Sequence, residues 1–127
     1  MDPIPTAVKQ FLYAHIDSID QLEILRLVEG DPQQEHRSAA LANELHIPAT
    51  KVELDVKALA AKGLLTIVVA DPLTCRHGPK SHELDSHIEQ LMKTYRERPV
   101  SLIKLVYERP KNQLKSLADA FRLKKEE

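Results

Sequence analysis

Cysteine is nearly missing from this chain of 127 residues: Cys75 stands alone, which rules out an internal disulfide framework and agrees with a reducing compartment. Tryptophan is absent, and three tyrosines with two phenylalanines offer too few aromatic faces to hold single-stranded nucleic acid by base stacking. Glycine occurs only three times, and no Gly-rich phosphate loop, G-x-S-x-G, paired-cysteine zinc spacing or H-E-x-x-H is present, so the reading is of a protein that is not an enzyme and needs no cofactor. The longest apolar run, residues 64–70 with Thr66 inside it, falls far below the roughly twenty residues of a membrane span. The opening MDPIPTAVKQ lacks the basic-then-apolar order of a secretory signal, which makes the cytoplasm the expected location. Excess charge is lacking too. Eighteen Lys and Arg (18) against 19 Asp and Glu leave a net of −1, without the strong positive field common among nucleic-acid modules.

What is present is a chain 43% hydrophobic and 29% charged, of a length at which one core forms and a second does not, so residues 1–127 are read as a single domain. Its most informative stretch is residues 38–69. Ala39, Leu41, Ala42 and Leu45 recur at helical spacing behind Ser38 as N-cap. Pro48 lacks a donor and crowds the preceding turn, so that helix ends near His46. Val52, Val56, Leu59 and Ala60 then mark a second amphipathic helix, which Gly63 ends by taking the left-handed conformation. Residues 64–69 are β-branched and bounded by Gly63 and Asp71-Pro72, which suits a strand; residues 71–74 suit a turn and residues 75–77 a short antiparallel return ending at Gly78-Pro79. Two short helices about a tight turn match a helix-turn-helix, and the strands after it a wing.

The run LANELHIPATKVELDVKALAAKGLL resembles the helix-turn-helix of the winged-helix superfamily, in particular bacterial transcriptional regulators related to the multiple-antibiotic-resistance and arsenical-resistance repressors. The positions that carry the likeness are Val56, Leu59, Lys62, Gly63 and Leu64, where those proteins have L-x-x-L-x-x-K-G-L before a hairpin. The likeness covers about half the chain, residues 21–79. It implies a mainly α fold with a small two-stranded β-wing, a core over residues 18–79, and double-stranded DNA as partner.

On the helix after Pro48 the exposed candidates are Ala49, Thr50, Lys51, Glu53, Asp55 and Lys57. Thr50, Lys51 and Glu53 would approach base edges, a carboxylate being able to accept from cytosine N4, with Lys57 beside them. Arg76 and Lys80 at the tip or exit of the wing, and Arg37 ahead of the motif, would hold phosphates. The two carboxylates oppose a phosphate backbone, which leaves a second class open: a winged-helix module that docks protein and binds no nucleic acid.

Around the motif, Ser18 and Gln21 have the spacing of a capping box that opens a helix over Leu22, Ile24, Leu25 and Val28, closed by Gly30-Asp31-Pro32, and residues 31–37 read as loop. Val8, Phe11, Leu12 and Tyr13 suggest a packing helix at about residues 6–15. Ser81 caps a helix carrying Leu84, Ile88, Leu91, Met92 and Tyr95 on one face; Pro99 opens another with Leu102 to Tyr107; Leu114, Leu117, Ala118 and Phe121 suggest a third. These added C-terminal helices, residues 81–123, carry more apolar side chains than one edge of a small domain covers, which points to a homodimer. Cys75, His77, His82 and His87 can be drawn as a soft metal site, but His82 and His87 lie five apart on a helix and face directions about 140° apart, so no metal is assigned. A redox role for Cys75 would need a lowered pKa, for which Arg76 or His77 are the available neighbours.

Overall fold

The computed structural model describes residues 4–108 of the chain. Their order is α1 (Thr6–His15), α2 (Ile19–Gly30), β1 (Glu35–Arg37), α3 (Ser38–Leu45), α4 (Ala49–Ala61), β2 (Thr66–Ala70), β3 (Leu73–Arg76), α5 (His82–Glu97) and α6 (Pro99–Tyr107). The helix suggested around Leu114 lies outside the described residues.

Local chemistry accounts for most boundaries. Ser18 accepts from the Gln21 backbone N–H and opens α2. The other half of the capping box differs from expectation. The Gln21 side chain accepts from the Asp17 N–H at 3.0 Å, one residue beyond the Ser18 N–H, because its amide end is drawn to α4. At the break before Pro48, His46 takes a left-handed conformation, φ 60°, and the Ile47 N–H returns to the Ala42 carbonyl. The exit of α4 is a Schellman closure: Gly63, φ 80°, donates to Ala60, and Leu64 donates to Leu59. Ser81 caps α5 through the Leu84 N–H, and Pro99 is the first residue of α6.

Three expectations change. The sheet has three strands in the order β1-β3-β2, where a two-stranded wing was expected, because part of the polar segment 31–37 forms β1 on the free edge of β3, with Glu35 opposite Arg76 and Arg37 opposite Thr74. A three-residue strand with no apolar alternation leaves almost no signal in sequence. Since β1 runs straight into α3, Arg37 takes the N-cap position without a side-chain cap, and Ser38 is a buried first helical residue. Finally, Leu64 and Leu65 are buried ahead of β2, which starts at Thr66, and β3 starts already at Leu73, so the turn shrinks to Asp71-Pro72.

The core is continuous. Helix α2 supplies Leu22, Ile24, Leu25 and Val28, α4 supplies Val52, Val56 and Leu59, and α5 supplies Ile88, Leu91 and Met92, all fully buried. Each such side chain contributes about 1.5–3 kcal/mol on leaving water. Helix α2 lies at the centre, packed on α3, α4 and α5, while α1 and α6 pack on α5. The apolar face of α5 is thus covered within the chain, a correction to its reading as surplus surface. Among the described residues, the large apolar side chains left exposed on the C-terminal side are on α6, where Val100 is 75% and Tyr107 74% accessible.

Candidate nucleic-acid interface

Helix α4 buries Val52, Asp55, Val56 and Leu59, which turns Thr50, Leu54, Lys57 and Ala61 outward along successive turns. Leu54, 66% accessible, stands at the centre of that stripe. It is not among the candidates Ala49, Thr50, Lys51, Glu53, Asp55 and Lys57, although its four-residue spacing from Thr50 and its absence from the buried stripe mark it. Thr50 and Lys57 are exposed as expected; Glu53 is half-buried on one flank of the stripe.

Asp55 was expected at the surface and is buried. Its carboxylate accepts from Gln21 Nε2 of α2 at 3.2 Å and binds Lys51 Nζ at 2.6 Å. Lys51 also lies 3.5 Å from Asp20 of α2. Its side chain is therefore half-exposed and drawn to the α2 side of α4, and the Asp55 hydrogen bond holds its ammonium above the ordinary lysine value. A carboxylate inside an apolar stripe leans on its partners, since an unpaired buried charge is costly.

The wing distributes charge differently from its sequence order. Arg76 ends β3 opposite Thr66 and Glu35, at the base of the sheet. Lys80 lies lower still: its backbone N–H donates to the Gly63 carbonyl at 2.8 Å, beside the exit of α4. The tip, Asp71-Pro72, carries no cation, and Val68 and Val69 of β2 are partly exposed. Arg37, Lys57, Arg76 and Lys80 are all exposed, and none has an ion pair or side-chain hydrogen bond among the described residues. Lys62, by contrast, is tied to the His15 carbonyl and Asp17.

The remaining chemistry-bearing residues do not converge. Cys75 is buried in β3, and burial pushes its thiol up to about 11, opposite to what a redox role needs. His77 reaches Asp85 of α5 at 3.2 Å, while its buried Nδ1 has no partner among the described residues. His87 stacks on Phe11, whose ring also stacks on His15. Among the described residues no three His, Cys, Asp or Glu gather as metal ligands. The stacked rings of Phe11, His15 and His87 border an open groove of about 420 Å3 between α1 and α5, walled by Ala7, Ala14 and Leu84. No helix among the described residues is long and apolar enough to cross a membrane.

No family model and no curated protein matches the sequence. Solved structures do match the fold. A MarR family transcriptional regulator from Silicibacter pomeroyi is 19% identical, covering 91% of this chain and 87% of that one, with a TM-score of 0.54. The multiple antibiotic-resistance repressor from Listeria monocytogenes is 18% identical over 95% of this chain and 78% of its own, TM-score 0.53. A transcriptional regulator from Thermotoga maritima is 18% identical over 94% and 82%, TM-score 0.51. The chain has the winged helix-turn-helix fold of these regulators.

Proposed function

We propose that the protein is a DNA-binding transcriptional regulator that lays α4 in the major groove and works as a homodimer in the cytoplasm. Thr50 and Glu53 address base edges, Leu54 meets an apolar patch such as a thymine methyl, and Lys57, Arg37, Arg76 and Lys80 neutralise phosphates. The observation that carries the reading is the outward stripe of α4, exposed at Thr50, Leu54, Lys57 and Ala61 and accompanied by four cations that have no ion pair among the described residues. The fold shared with transcriptional regulators supports it. Dimerisation through α6 is supported by the exposure of Val100 and Tyr107, which a second copy would cover.

A protein-docking role for α4 has one observation in its favour, the exposed Leu54 at the centre of the stripe. Anisotropy titration of a labelled random duplex at low and moderate salt separates the two. The DNA reading expects binding that weakens steeply with salt, and a further loss of tenfold or more, about 1.4 kcal/mol, in Lys57→Glu and Arg76→Glu. Absence of binding at low salt would overturn it, and unchanged binding in both variants would move the contact surface elsewhere.

A further inference from the structure

We propose that Asp55 is a positioning residue that keeps Lys51 out of the DNA-facing stripe, so that the contact between α2 and α4 sets how many cations the recognition helix offers; this rests on the DNA reading above. Three facts combine. Asp55 is 6% accessible and lies where α4 packs on α2, unlike an ordinary surface pair four residues apart on a helix. Its first oxygen is taken by Gln21, whose own side-chain oxygen is committed to the Asp17 N–H, so Gln21 is fixed at both ends. The second oxygen and Asp20 then hold the Lys51 ammonium from two sides. Lys51 is one residue from Thr50, yet its half-exposed ammonium is engaged by two carboxylates, whereas Lys57 two turns on has no ion pair among the described residues.

The pairing has a consequence for affinity. A lysine bound at 2.6 Å to a buried carboxylate cannot release a phosphate counterion without stranding that carboxylate. Asparagine at position 55 can still accept from Gln21 Nε2 through its carbonyl oxygen, but has no charge for Lys51 to neutralise. Lys51 is then available to DNA.

The test compares the full chain with Asp55→Asn and with Asp55→Asn/Lys51→Gln, each checked for helical content by circular dichroism, in duplex titrations across a salt series. The inference expects Asp55→Asn to bind several-fold more tightly at low salt, with the slope of log K against log salt steeper by about 0.9, one further phosphate contact. The double variant should lose that gain. Equal slopes in the parent and Asp55→Asn, or a gain kept by the double variant, overturns the inference. If Asp55→Asn does not fold, Asp20→Asn, which removes only the half-exposed partner, should show a smaller gain of the same sign, and no gain overturns it. A second readout needs no DNA. In the NMR titration of its side chain, Lys51 should titrate above the ordinary lysine value in the parent and return towards it in Asp55→Asn. An ordinary Lys51 in the parent overturns the pairing itself. An elevated Lys51 in a protein that binds no duplex at any salt overturns the DNA reading, and with it the role given to the pair.

Discussion

Gly63 joins the recognition helix to the wing, and replacing it by alanine should be among the more damaging single-methyl changes in the protein. Two costs add. The backbone there has φ 80°, where an L side chain costs about 1–2 kcal/mol. A Cβ would also fall 2.9 Å from Lys80 Cβ and 3.1 Å from Lys80 Cδ, with Leu84 Cδ1 at 3.4 Å. Lys80 cannot readily recede, since its N–H is bonded to the Gly63 carbonyl at 2.8 Å, so about 1–3 kcal/mol of overpacking follows. The smaller entropy of an unfolded chain with alanine returns about 0.4–1 kcal/mol. The net loss is about 1–5 kcal/mol, which at a urea slope of about 2 kcal/mol per molar lowers the midpoint by about 0.5–2 M. Gly30→Ala is the control: it lies in the last turn of α2 with nothing within 4 Å and an ordinary φ, so its midpoint should stay or rise slightly. Gly63→Asn, which tolerates the left-handed region better, keeps the Lys80 crowding and should fall between them. Urea unfolding followed by far-UV circular dichroism measures all three. A Gly63→Ala midpoint equal to that of Gly30→Ala would refute both the strain and the crowding.

Tyr95 of α5 donates a hydrogen bond to Glu23 of α2, which also pairs with Arg26 at 2.7 Å. Burial alone raises the Glu23 carboxyl, but the Arg26 and Tyr95 hydrogen bonds and the Arg26 charge outweigh it and hold the group below its ordinary value. A carboxylate lowered in the folded state stabilises above its unfolded pKa, and this stabilisation is lost as pH falls through the lowered folded value. Tyr95→Phe should therefore cost about 1–3 kcal/mol at pH 7 and progressively less through the acid range, read from urea midpoints at several pH values; a loss independent of pH would show that only packing is involved. Burial raises the Cys75 thiol, so Ellman's reagent at pH 8 should label the native protein slowly and the urea-unfolded protein at once, whereas rapid native labelling would contradict its buried place in β3.

Much of the architecture is written in residues whose chemistry acts on near neighbours. Pro48 ends α3, Gly63 closes α4, Ser18 and Ser81 cap α2 and α5, and Pro99 starts α6, each through a hydrogen bond or a backbone angle set within a few positions. Those signals need no knowledge of the rest of the chain, and the helix-turn-helix follows from them. The stripe periodicity likewise exposes Thr50 and Lys57, two of the residues assigned to the interface.

Partners from distant parts of the chain are another matter. Asp55 lies 34 positions from Gln21, and nothing in the spacing around it announces that a carboxylate will sit inside the α2–α4 contact. Its burial takes Lys51 from the list of free cations. Strand β1 exists because β3 offers an open edge, and Arg76 and Lys80 come to the base of the wing because the hairpin turns at Asp71-Pro72. Helical period and capping are local, so they survive in a one-dimensional reading; charge pairing, edge pairing and the covering of α5 by α1 depend on which surfaces meet when the core closes, and that is a property of the packed chain.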